Sequence, residues 1–186
     1  MSIESAPLTL EQNSQLWKKI APFSLALLVL VFDQFTKFLI IRYVPPYPFT
    51  GFSLGNDFLR IIHVRNSGIA FSVGGGLPSS IRSVLFVLAP LTVVTLVVIT
   101  YFRNNDFTFL QRWAITGVIG GGLGNLIDRL FRPEGVVDFI DVKFYGLFGL
   151  DRWPTFNIAD AAVLICAFIF MFSILFPPAQ TKTETK

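Results

Sequence analysis

Four aspartates sit where a carboxylate is costly. Asp33, Asp128, Asp138 and Asp160 each fall within or beside a long apolar run of the 186-residue chain. A charged side chain in or near hydrocarbon needs a partner or a task. Two carboxylates held close together cannot both ionise readily, so they share one proton. One can then take a proton from water while the other gives one to a carbonyl or a leaving amine. Such a pair can hydrolyse a bond without a metal or a nucleophilic side chain.

The local settings of the four differ. Asp33 lies in Asp33-Gln34-Phe35-Thr36-Lys37, and Lys37, four residues on, shares its helix face and reads as a structural ion pair. Asp128 shares a face with Asn125 in Gly124-Asn125-Leu126-Ile127-Asp128-Arg129. There Arg129 can neutralise Asp128 or bind an anion, and Asp128 reads as a salt-bridged support for the site. Asp138, in Val136-Val137-Asp138-Phe139, either faces water from an interfacial loop or is partly desolvated by its apolar neighbours. In the second case its pKa rises towards a range useful for proton transfer. Asp160 opens the last apolar run in Asn157-Ile158-Ala159-Asp160. Asn157 suits an N-cap, and an acid three residues later completes a capping box.

Asp138 and Asp160 form the expected pair. One follows the third apolar run and the other opens the fourth, so both belong to the same membrane face. Asp33, Asp128 and Asn66 collect at that depth. Asp141 is a nearby rival for Asp138. His63 is the only histidine, so a His-based zinc site or a Ser-His triad lacks parts. No Gly-rich phosphate loop occurs. Cys166, the only cysteine, lies in an apolar run, reads as a small hydrophobe and cannot form an internal disulfide.

The elements that must position these residues are apolar helices. Hydrophobic residues make up 53% of the chain and charged residues 15%, against about 45–50% and 25% in soluble domains. The net charge of +3 comes with no basic stripe of the kind that binds nucleic acid. A bilayer core of about 30 Å takes roughly 20 helical residues. Four runs qualify: 20–43, 81–102, 112–130 and 157–176. The expected fold is an all-α membrane protein of one domain, 1–186, with four transmembrane helices. Residues 1–19 form a polar N-terminal segment, and 177–186 a polar tail. The first run is too long for a cleaved signal peptide and lacks a small-residue cleavage site. Pro90 is a point where the second can kink, and the glycines from Gly117 to Gly124 give the third a face for close helix approach.

Four spans place both termini on one side. Basic residues divide nearly evenly between the two sides, so their totals give no orientation. Lys18 and Lys19 before the first run, and the short basic connection 103–111, favour termini inside. The connection 44–80 is too long for a plain loop. Its stretch Phe58–Ser72 is rich in β-branched and aromatic residues and reads as two short strands around Arg65–Gly68. This would be a small β platform between the first two helices, on the non-terminal face. The aromatic connector Lys143–Pro154 is expected either to rest at the membrane interface or to cover the site as a lid.

The stretches Asp33-Gln34-x-Thr36-Lys37, Asn66-Ser67-Gly68-Ile69-Ala70-Phe71-Ser72, Gly124-Asn125-x-x-Asp128-Arg129, Val136-Val137-Asp138-Phe139 and Phe156-Asn157-x-Ala159-Asp160 occur in the order seen in a known family. The chain resembles bacterial lipoprotein signal peptidase, also called signal peptidase II. The resemblance spans about Asp33 to Asp160. It implies that Asp138 and Asp160 are catalytic, and that Asn66, Asn125, Arg129 and Asn157 shape the site and hold substrate. Asp128 would support the arrangement, with Asp33 and Lys37 accessory. It further implies a diacylglyceryl prolipoprotein substrate cut just before the lipidated cysteine, with no cofactor. The enzyme would sit in the inner membrane among its lipids, with both termini cytoplasmic and the site near the extracytoplasmic face. The loop would correspond to a β-cradle, and the cyclic peptide globomycin would inhibit. Two rival classes are an ion-coupled transporter, whose acids should lie near the midplane, and a non-catalytic scaffold, indifferent to loss of Asp138 or Asp160.

Overall fold

The computed structural model describes residues 9–67 and 79–177, with the side chains of 79–83 outside the description. Five α-helices and three strands follow in the order α1 (Leu10–Ile20), α2 (Phe23–Tyr43), β1 (Thr50–Leu54), β2 (Leu59–Asn66), α3 (Ser79–Arg103), α4 (Phe109–Phe131), β3 (Val136–Val142) and α5 (Ile158–Leu175). Residues 68–72 of the Asn66 motif lie outside the described stretches, as do the terminal segments 1–8 and 178–186.

The helices are inside-out relative to a soluble bundle. Leu27, Leu28, Phe32, Phe35 and Phe38 of α2 are exposed, as are Leu164, Ile165, Phe168 and Phe172 of α5. Asp33, Lys37, Asp128 and Asn157 are fully buried. Apolar surface on this scale marks contact with something other than water. Three stretches, Leu10–Tyr43, Val84–Arg103 and Ile158–Leu175, are long and apolar enough to cross a membrane by length and composition. The fourth expected span, α4, is not among them. Its 23 residues reach roughly 35 Å, but its glycines, Asn125, Asp128 and Arg129 lower its hydropathy. Those residues suit its position, since α4 packs against α2, α3 and α5.

Glycine makes that packing possible. A Cβ at Gly120 would lie 2.6 Å from the Ala26 carbonyl oxygen and 2.8 Å from its Cα, and one at Gly121 would lie 2.5 Å from the Ala159 oxygen. The backbones of α2 and α5 therefore approach α4 closer than any side chain permits. Cys166 is buried and packs against Gly117, the small-hydrophobe role its setting implied.

Within the polar N-terminal segment, Leu10–Ile20 is a surface helix, opened by a Thr9/Gln12 capping box. Of the two strands expected around Arg65–Gly68, the first is present as β2, ending at Asn66, and the stretch of the second lies outside the described residues. β1 and β2 pair antiparallel across a turn at 55–58. One expectation needs correction: the platform is not confined to the first connection. The sheet order is β1-β2-β3, and β3 arrives from beyond α4, pairing Asn66 with Val136 and Leu59 with Val142.

Candidate active site

Asp138 lies on β3, not in an interfacial loop. It is 2% exposed and pairs across the sheet with Val64. Its Oδ2 accepts from Asn66 Nδ2 at 2.9 Å, and its Oδ1 accepts from Asn157 Nδ2 at 2.7 Å. Burial pushes its pKa up from 3.8 to about 6. The hydrogen bond from Asn66 opposes that rise, the nearby Asp160 charge adds to it, and Asn157 and Lys37 oppose it.

Asp160 sits in the first turn of α5 and is partly exposed. The capping box read from the sequence is present: Asn157 Oδ1 accepts the Asp160 N–H at 2.9 Å, and Asp160 Oδ2 accepts the Asn157 N–H at 3.1 Å. The cap does not exhaust this carboxylate, since Oδ1 also accepts from Asn125 Nδ2 at 2.7 Å. Asn157 therefore touches both aspartates, Asp138 by its side chain and Asp160 by its backbone.

Local chain geometry places Asn157 there. Phe156 forms an antiparallel bridge with Ile140, its carbonyl accepting from the N–H groups of Phe139 at 3.0 Å and Ile140 at 2.8 Å. That bridge delivers the residue before Asn157 to the strand carrying Asp138. β3 and the start of α5 are thus pinned together although the Lys143–Pro154 connector separates them in sequence.

A buried ionic layer lies beneath. Lys37 Nζ is 2.8 Å from Asp33, 3.1 Å from Asp128 and 2.9 Å from Asn125 Oδ1. Gln34 Nε2 donates to Asp33 at 3.1 Å, to Asp128 at 3.0 Å and to the Gly124 carbonyl at 3.0 Å. A charge this deep must be paired and hydrogen-bonded, and each carboxylate here has several donors. Asp33 also holds the Ala159 N–H and Asp128 the Val137 N–H, both at 3.0 Å. The layer therefore grips both segments that bear the upper aspartates.

Arg129 does not neutralise Asp128; Lys37 and Arg132 do, the second by an i,i+4 ion pair. Arg129 forms no ion pair or hydrogen bond with a described residue. Its guanidinium lies 5.5 Å from the Phe86 ring centroid, within the electrostatic reach of Asp160, Asp138 and Asp128. Asp141 is spoken for. It is buried and clamped by Arg60 Nε at 2.7 Å and Arg152 Nε at 2.6 Å. Sequence reading missed both arginines, and Arg132, as partners.

The Lys143–Pro154 connector folds back on itself through a Lys143–Arg152 bridge. Tyr145 stacks on Phe58 at 6.5 Å, at the end of the sheet away from Asn66. Tyr145, Leu147 and Phe148 are exposed.

The geometry defines a membrane protein with a buried polar centre at one end of its helices, where two carboxylates meet through one asparagine. No group of three or more His, Cys, Asp or Glu among the described residues could hold a metal ion. The sequence model of the signal peptidase (SPase) II family matches residues 25–176, and the chain belongs to that family. It is 48% identical over 158 residues to lipoprotein signal peptidase of Treponema pallidum (strain Nichols), covering 85% of this chain and 84% of that one. With lipoprotein signal peptidase of Borreliella burgdorferi (strain ZS7) it shares 46% over 143 residues, 77% of this chain and 82% of the relative. A solved structure, described as a bacterial membrane enzyme determined by the in meso method at 1.9 Å resolution, superposes with a TM-score of 0.71 at 29% identity, covering 84% of this chain and 94% of that one. The family makes the chain a peptidase, hence a hydrolase, and the neighbour agrees with a multi-pass membrane protein.

Proposed function

We propose that this chain is a membrane-embedded aspartic endopeptidase that removes the signal peptide from diacylglyceryl-modified prolipoproteins, cutting just before the lipidated cysteine. The observation that carries the reading is the placement of Asn157, which donates to Asp138 and caps the helix bearing Asp160. Asp138, buried and pushed up to about 6, holds the shared proton. Asp160, more open to solvent, takes a proton from water as the water oxygen attacks the scissile carbonyl carbon. The Asp138 proton passes to the carbonyl oxygen. When the gem-diol intermediate collapses, the C–N bond breaks, the proton held by Asp160 goes to the leaving amine, and one hydroxyl proton returns to Asp138, leaving the carboxylic acid product.

In this reading α2, α3, α4 and α5 all span the inner membrane, the termini are cytoplasmic, and the three-stranded sheet lies on the extracytoplasmic face. Arg129, with a free positive field beside the pair, holds polar groups of the substrate together with Asn66 and Asn125. Globomycin is an expected inhibitor. A polar centre at one end of the helices speaks against a midplane transport site.

Cleavage of a diacylglyceryl prolipoprotein by purified wild type, Asp138→Asn and Asp160→Asn tests the proposal. Each variant should insert normally and lose roughly 10²–10⁴-fold in rate. Full activity in either variant overturns the assignment.

A further inference from the structure

The far end of the helices carries an unexplained charge. Arg112, in the first turn of α4, stands thirteen residues before Asn125, so it lies roughly 20 Å from the catalytic centre along the helix. It is 7% exposed and has no carboxylate partner among the described residues. Its Nη2 donates to the Asn104 and Asn105 carbonyls at 3.3 Å each, but Nη1 is buried without a hydrogen-bond partner. The guanidinium packs on the Tyr101 ring at 5.4 Å and the Phe107 ring at 6.0 Å. Cation–π contacts lessen the penalty of a buried charge without supplying an opposite charge.

Those two rings also line a cavity of about 400 Å³ walled by Leu96, Val118, Ala167 and Phe170, between α3, α4 and α5. Almost every lining atom is apolar. Leu96 and Thr100 are shared with a second hollow, of mixed polarity and about 610 Å³, lined also by Arg103, Asn104, Asn105 and Asp106. Lys19 reaches the same place, its Nζ 2.6 Å from Asn105 Oδ1. An apolar slot thus adjoins a more polar mouth, and Arg112 packs on two rings of the slot while donating to the carbonyls of two residues of the mouth. With Lys18 and Glu11 on α1 included, this end carries, among the described residues, four cations (Lys18, Lys19, Arg103, Arg112) and two carboxylates (Glu11, Asp106).

We propose that this is a binding site for an anionic phospholipid of the surrounding membrane, with an acyl chain in the slot and the phosphate at the Lys19–Arg103 mouth above Arg112. The two halves match the two halves of a lipid, and the excess positive charge matches the phosphate. A zwitterionic lipid would fill the slot equally but leave the charge uncompensated. The inference rests on membrane residence and not on the peptidase reading.

Native mass spectrometry of the full-length detergent-purified chain tests it, with phosphatidylglycerol, phosphatidylcholine of the same chains, and inorganic phosphate as separate titrants. Phosphatidylglycerol should bind at least about tenfold tighter than phosphatidylcholine. Lys19→Gln and Arg103→Gln, both far from the catalytic residues, should each weaken it about fivefold. Ala167→Phe, which fills the slot, should weaken it with the mouth intact. Unchanged prolipoprotein cleavage in these variants would show that they are folded. Equal affinity for the two lipids, or affinity unmoved by the charge variants, overturns the proposal. So does full competition by inorganic phosphate together with no effect of Ala167→Phe, which would mark a free-anion site.

Discussion

The Asp33 carboxylate accepts the backbone N–H of Ala159 at 3.0 Å, although 126 residues separate them. Asp128 does the same for Val137. Each buried aspartate thus fixes the residue immediately before one member of the Asp138–Asp160 pair, and Lys37 ties the two supports together.

Removing Lys37 should therefore loosen both supports at once. Lys37→Met leaves Asp33 and Asp128 buried without their shared cation. Breaking a buried ion pair on one side costs about 3–5 kcal/mol. Thermal unfolding in detergent should register that loss, and cleavage should fall with it. A melting temperature equal to wild type would show that the layer is dispensable.

Gly124 tests the same layer through space. A Cβ there would lie 2.7 Å from Asp33 Oδ2 and 3.2 Å from the Ala159 Cβ. Gly124→Ala should displace Asp33 from its helix partners, costing about 1–3 kcal/mol by overpacking, and lower kcat more than it raises KM. Gly122→Ala makes a useful control, because the contact it would meet is only the side chain of Val94.

The pH profile should respond to Asn66. Its hydrogen bond to Asp138 favours the charged carboxylate, so Asn66→Ala should raise the Asp138 pKa above about 6. The shared proton then survives to higher pH, and the alkaline limb of kcat/KM moves up. A limb that stays in place or shifts downward would contradict this electrostatic account.

Stability should carry the opposite imprint of Asp138. Its pKa is raised on folding, so the native state binds more protons than the unfolded one between pH 3.8 and about 6. Stability contributed by this group is present below pH 3.8, falls across that window as pH rises, and stays lost above it. The shift corresponds to roughly 3 kcal/mol at neutral pH. The melting-temperature difference between Asp138→Asn and wild type should move in favour of the variant from pH 4 to pH 8. A difference independent of pH would reject the raised pKa.

Asp141 offers a contrast within the same strand. Clamped by Arg60 and Arg152, it holds the connector to β3 and takes no part in the pair. Asp141→Asn should destabilise the chain while leaving measurable cleavage in the folded fraction. Loss of all turnover from a fully folded Asp141→Asn protein would restore it as a rival for Asp138.

Much of this arrangement was readable from spacing. Asn157 and Asp160 carry a helix-start signature, and Asp33 and Lys37 share a helix face, so both relationships are local. Arg132 was equally readable, because four residues separate it from Asp128 whereas Arg129, the next residue, points elsewhere on the helix. The Thr9/Gln12 capping box likewise marks the start of α1 within the polar N-terminal segment. The third strand was harder. Val136–Val142 is rich in β-branched residues, but its partner lies on the far side of α3 and α4, and no local pattern encodes so distant a pairing. The Arg60–Asp141–Arg152 clamp depends on that pairing and was hidden with it.

Asn157 begins α5, donates to one carboxylate and is bonded by the other. Under the proposed function, a chain whose last helix is not yet docked has no hydrolytic pair to misuse, and completion of the architecture is itself the switch that arms the molecule.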